Sequence, residues 1–165
     1  MTKATYTLGT LSVFIVLLHG TLMPYIAIFG GRVNVLVALV VAVALNYGTA
    51  TAMIVAIATG LLADTLFASA LGLTALPLVV IGYTVGQVGR RLFRDEPLVA
   101  VVISFTSIAA FELLTLLLSR MVFGVWWGRA FVSAFVPTWL VNVAALPVLI
   151  TWLGKVLPQR KHEVI

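Results

Sequence analysis

Apolar residues fill the chain in six long runs, and the positions that break the runs fall between them rather than alternating within them. The runs cover roughly residues 7 to 28, 33 to 47, 49 to 69, 74 to 89, 97 to 123 and 130 to 154. A helix needs about 20 mostly apolar residues to cross the hydrocarbon, and fewer where the bilayer thins around it. The pattern therefore predicts six transmembrane helices, the second the shortest. Gly30 and Gly31, Gly48, Gly72, Pro77 in a first turn, Pro97, Gly124 and Gly128 mark the breaks. Val33 to Leu66 is too long for one span, so a tight turn is expected at Asn46-Tyr47-Gly48.

Composition turns this pattern into a class. Of 165 residues 62% are hydrophobic and only 9% charged, against roughly 25% charged in an average soluble domain. Mean hydropathy is +1.20. The expectation is an all-α integral membrane protein forming one membrane domain over 1–165, with no soluble domain. The first run follows Lys3, extends about as far as a span needs and precedes no clear cleavage site, so it reads as a retained anchor. Without cysteine there is no disulfide or thiol chemistry.

Charge then orients the spans. The net charge of +5 comes from Lys and Arg scattered at span ends, not interleaved with aromatics, so no nucleic-acid partner is expected. With both termini cytoplasmic, Lys3, Arg90, Arg91, Arg94, Lys155, Arg160 and Lys161 lie inside and Arg32, Arg120 and Arg129 outside, a split of seven to three. Tyr25, Trp126 and Trp127 near the outward ends fit an interfacial belt. The loop Arg90 to Glu96 reads as a topology anchor on an anionic leaflet, with a docking point for a cytoplasmic partner as the other possibility.

Polar residues at membrane depth must face protein or a water-filled cavity. Asp64 ends a stripe of small residues at helical spacing, Ala52, Ala56, Gly60, Asp64 and Ala68, and is expected to cap or bond backbone in the turn from Phe67 to Leu73. A partner or ligand contact is the alternative. Glu112, near the middle of the fifth run, has Asn142 and Arg120 as candidate neighbours. Asn142 continues a stripe with Ala134 and Thr138, and for it and Glu112 hydrogen bonding between helices is the expected role. His19 has no companion for a metal site and is expected to bond backbone or solvent. Gly82, Gly86 and Gly89 permit close helix approach, within the chain or to another. There is no phosphate-binding glycine loop, zinc-binding H-E-x-x-H, nucleophile elbow or carboxylate pair, so the chain does not read as an enzyme and no cofactor or metal is expected.

The stretch TGLLADTLFASALGLTALPLVVIGYTVGQVGRRLFR, Thr59 to Arg94, runs from Gly60 and Asp64 through the Leu71-Gly72-Leu73 turn and Ala75-Leu76 to Ile81-Gly82-Tyr83 and a basic loop. In this order of features it resembles the bacterial rod shape-determining protein MreD. Asn34 opening the second run and Asn142 with Pro147 five residues later are similar to that family too. One departure is the absence of a proline between Val33 and Val35.

The resemblance implies a fold similar to the substrate-binding subunits of energy-coupling-factor transporters. It implies a non-enzymatic scaffold in the bacterial inner (cytoplasmic) membrane, part of the elongasome that supports lateral peptidoglycan synthesis and cell shape. Its expected partners are the lipid bilayer, the transmembrane helix of MreC and, indirectly, RodA, its transpeptidase partner and MreB. The residues expected to serve structure or partner contact are Gly60, Asp64, Gly72, Gly82, Gly86, Glu112, Asn142 and Pro147. The alternative is a vitamin-binding subunit of an energy-coupling-factor transporter, with Asp64 on the wall of an outward pocket. A proton-coupled transporter using Asp64 or Glu112 is a third reading.

Overall fold

A helix that is apolar on every side belongs in the interior, and Val35–Tyr47 is such a helix. The computed structural model describes residues 3–23, 25–28, 30–68, 70–89, 97–124 and 128–157. Its helices are α1 (Lys3–Thr21), α2 (Val35–Tyr47), α3 (Thr49–Phe67), α4 (Ala75–Val88), α5 (Pro97–Phe123) and α6 (Gly128–Val156), with short strands β1 (Ala27–Ile28) and β2 (Gly31–Arg32) between α1 and α2. Leu36 to Val43 of α2 are completely or almost completely inaccessible, and α2 touches each of the other five helices. Its 13 residues span about 20 Å at 1.5 Å per residue. That is short of the roughly 30 Å hydrocarbon core, but a helix walled in by others meets little lipid and need not match it.

Three helical segments are long and apolar enough to cross a membrane, Thr49–Phe67, Val101–Phe123 and Phe135–Val156; three shorter apolar ones are Tyr6–Thr21, Val35–Tyr47 and Ala75–Val88. The outward faces carry large apolar side chains, among them Ile54 and Leu61 on α3, Leu113 and Leu117 on α5 and Val148 and Trp152 on α6. Small residues face inward instead: Ala52, Ala56 and Gly60 on α3 are buried. Apolar surface on both sides of a helix is what a lipid exterior and a packed interior require together.

The expected turn lies at Gly48, whose φ of 86° is a conformation that side chains disfavour. It separates α2 from α3 by a single residue, while the Nδ2 of Asn46 donates to the carbonyl of Ala42 at 2.8 Å. The first helix differs from its expected extent. It stops at Thr21, although apolar residues continue to position 28, because Pro24 disfavours helical backbone at Met23. A two-stranded antiparallel hairpin follows, pairing Ala27 with Arg32 and Ile28 with Gly31, with Gly30 at φ 82° between the strands. Six apolar runs did not announce a hairpin, since strands of two residues leave no periodic signal. The loop Arg90 to Glu96, Trp126, Trp127, Arg160, Lys161 and His162 lie outside the described residues, as do the side chains of Arg129 and Ala134.

Candidate functional site

Asp64 stands at the end of α3 with only 2% of its surface accessible. Helix α4 opens beside it. The first N–H groups of a helix have no partner inside the helix, and here each is provided for. The Oδ1 of Asp64 accepts from Thr74 N at 2.9 Å, and its Oδ2 accepts from Gly72 N at 2.8 Å and Ala75 N at 3.2 Å. Leu76 N donates to the Gly72 carbonyl at 3.1 Å, Pro77 has no N–H, and Leu78 N makes the first regular helical bond, to Thr74 O at 3.2 Å. The carboxylate thus replaces an N-cap side chain that Thr74 does not supply, and its negative charge sits at the positive end of the α4 dipole. Gly72 completes the turn with φ 95°.

The same two helices approach more closely than most side chains allow. A β-carbon on Gly60 would collide with the backbone of Ala75, and one on Gly86 would lie 2.6 Å from the Cα of Thr49. Between them Gly82 faces the Ala52 carbonyl group and Val40 of α2. The pairs 60 with 75, 52 with 82 and 49 with 86 advance in opposite directions, so α3 and α4 form an antiparallel hairpin. The neighbour of the Gly82 and Gly86 motif is therefore in the same chain.

Asn142, completely buried in α6, holds the entry of α2. Its Oδ1 accepts from Asn34 N at 2.7 Å, and its Nδ2 donates to the carbonyls of Arg32 and Thr138, each at 2.7 Å. Asn34 in turn caps α2, its Oδ1 accepting from Val37 N at 3.2 Å. Gly31 of the hairpin packs on the Pro137 carbonyl of α6. Pro147, half-buried within α6, leaves the Val143 carbonyl without its helical donor.

Of the two neighbours expected for Glu112, Asn142 has its side chain turned to other partners. The amide of Asn142 is engaged by backbone, so it does not bond Glu112. Glu112 lines a cavity of about 480 Å³ at the hairpin end of the bundle, with His19, Arg32, Asn34, Phe67 and Thr138 around it. The His19 Nδ1 is buried with no hydrogen-bond partner. Asp64 does not line this cavity. A second, smaller groove of about 230 Å³ runs between α4 and α5, lined among others by Thr84, Gly89, Thr106, Ser107 and Ala110. The Oγ of Ser107 is buried there without a partner. Sequence reasoning passed over both recesses, because α1, β2 and α5 are far apart along the chain and Ser107 lies in an unremarkable apolar run. Among the described residues no three His, Asp or Glu side chains gather as a metal site.

A helical bundle with an apolar exterior, inward small residues and buried polar groups bonded to backbone defines a polytopic membrane protein built around packing. The family model for the rod shape-determining protein MreD matches residues 1–160, and the chain belongs to that family. Membership gives it a role in rod-shape determination as a membrane component of the shape-determining complex. No curated protein and no solved structure matches it.

Proposed function

We propose that the chain is a non-enzymatic scaffold of the rod elongation machinery, a six-span protein of the bacterial cytoplasmic membrane with both termini inside. It seats the transmembrane helix of MreC and through it is tied to RodA, its transpeptidase partner and MreB, in support of lateral peptidoglycan synthesis. One observation carries the reading: Asp64 and Asn142, both buried, spend their polar atoms on backbone groups at the entries of α4 and α2. A carrier that moved a proton or ion would need such groups free to exchange partners.

The seat we assign to the MreC helix is the α4–α5 groove. Small and hydroxyl-bearing residues let membrane helices approach and bond one another, and Ser107 brings a donor that has no partner in the bundle. The test is capture of MreC from membranes by the tagged chain. Ala110→Phe, which fills the groove, should lower capture several-fold, and Leu113→Phe on the lipid-facing side should not. Equal capture of MreC by an unrelated six-span protein would end the scaffold reading. Full capture by Ala110→Phe would end the assignment of the groove.

A further inference from the structure

The cavity at the hairpin end brings together three ionisable side chains from three elements: His19 near the end of α1, Arg32 on β2 and Glu112 in α5. The His19 Nδ1 is buried there with no hydrogen-bond partner, while Glu112 is half-buried and Arg32 exposed. A buried imidazole nitrogen without a partner, beside a carboxyl group and a guanidinium on the same recess, is a set that a polar ligand would satisfy. The volume, about 480 Å³, lies within the range of small-ligand sites, roughly 300 to 1,000 Å³.

The wall chemistry narrows the ligand. An anion alone would suit Arg32 but set like charge against Glu112, and a cation alone would do the reverse. A metal ion would find only two suitable donors, His19 and Glu112, beside a repelling guanidinium. A molecule with both charges satisfies both walls. Guanidinium groups bind phosphate through paired N–H donors, and an ammonium donates to carboxylate and imidazole acceptors. Met23, Val33 and Phe67 add apolar wall beside these groups.

We propose that this cavity binds a zwitterionic ammonium phosphate, with the phosphate on Arg32 and the ammonium on Glu112 and His19. Two sources carry that chemistry: the headgroup of phosphatidylethanolamine in the surrounding bilayer, and a free phosphoethanolamine compound. The site does not depend on MreC being the partner, and its test does not involve MreC.

The purified chain is reconstituted in nanodiscs of equimolar phosphatidylethanolamine and phosphatidylglycerol, and the lipid retained after release into detergent is read by native mass spectrometry. Phosphatidylethanolamine should be retained at about one per chain, several-fold above phosphatidylglycerol. Glu112→Gln and Arg32→Gln should each remove that preference, whereas Lys155→Gln at the other end should leave it. In a second arm, glycerophosphoethanolamine is titrated onto delipidated protein. Saturable binding there, lost in Glu112→Gln, assigns the ligand to a free compound as well, and lipid preference without it assigns the ligand to the bilayer. Equal retention of the two lipids together with no binding of glycerophosphoethanolamine overturns the proposal. So does a Glu112→Gln protein that keeps the full preference, since Gln retains hydrogen bonding but not charge. The lipid comparison on the unsubstituted chain decides the matter even if a variant fails to fold.

Discussion

The carboxylate of Asp64, at the end of α3, accepts the backbone N–H of Thr74, at the start of α4, at 2.9 Å. Ten residues apart in sequence, the two are joined so that one side chain sets where the next helix begins. Removing the carboxylate by Asp64→Ala strands the N–H groups of Gly72, Thr74 and Ala75. An unsatisfied buried donor costs about 1 to 3 kcal/mol, so the variant should unfold at a clearly lower temperature in detergent, and Asp64→Asn, which keeps one acceptor oxygen, should fall between. Unchanged thermal stability in Asp64→Ala would show that the cap contributes nothing.

Close approach of α3 and α4 makes a steric prediction independent of charge. Gly60→Ala places a methyl group against the Ala75 backbone, which cannot rotate away. Overpacking of this kind costs typically about 1 to 3 kcal/mol. Gly9→Ala, where nothing lies within 4 Å, should cost nothing. Monodispersity and melting temperature of the two proteins side by side provide the measurement, and equal behaviour would contradict the packing described.

Asn142 joins residues that are 108 positions apart, through the Asn34 N–H. Asn142→Leu keeps the volume but loses the acceptor for Asn34 N and the donors to Arg32 and Thr138. Hydrogen bonds between membrane helices average about 0.6 kcal/mol and reach about 1.7, so the fold should survive. The hairpin should loosen. Amide hydrogen exchange over residues 27 to 37 should quicken in the variant while that of α3 stays unchanged, and uniform exchange across both would contradict a local clamp.

These relationships differ in how far the sequence announced them. Helix positions followed from apolar run length and glycine or proline breaks, which act locally, so α3 and α5 come within two residues of expectation. The capping role of Asp64 was legible for the same reason: the acid, Gly72 and Pro77 lie within one turn and its flanks. The partners of Asn142 and Glu112 were not, because pairing between α6 and the α2 entry, or between α1, β2 and α5, is decided by tertiary packing. A stripe of small residues identifies a packing face without naming its neighbour, and only the three-dimensional arrangement assigns Gly82 and Gly86 to α3 and Val40.

The absence of cysteine in the chain makes single-cysteine labelling a direct test of the six-span topology. Tyr25, beyond the end of α1, is 88% exposed, and Lys155, near the end of α6, is exposed as well. An even number of spans between Tyr25 and the outer start of α6 leaves Lys155 on the face opposite Tyr25. The seven-to-three division of basic residues puts Lys155 inside. A membrane-impermeant maleimide applied to spheroplasts should therefore label Tyr25→Cys at once and Lys155→Cys only after lysis. The reverse order would invert the protein in the membrane, and labelling of both before lysis would mean that one of the two shorter apolar helices between them, α2 or α4, does not cross.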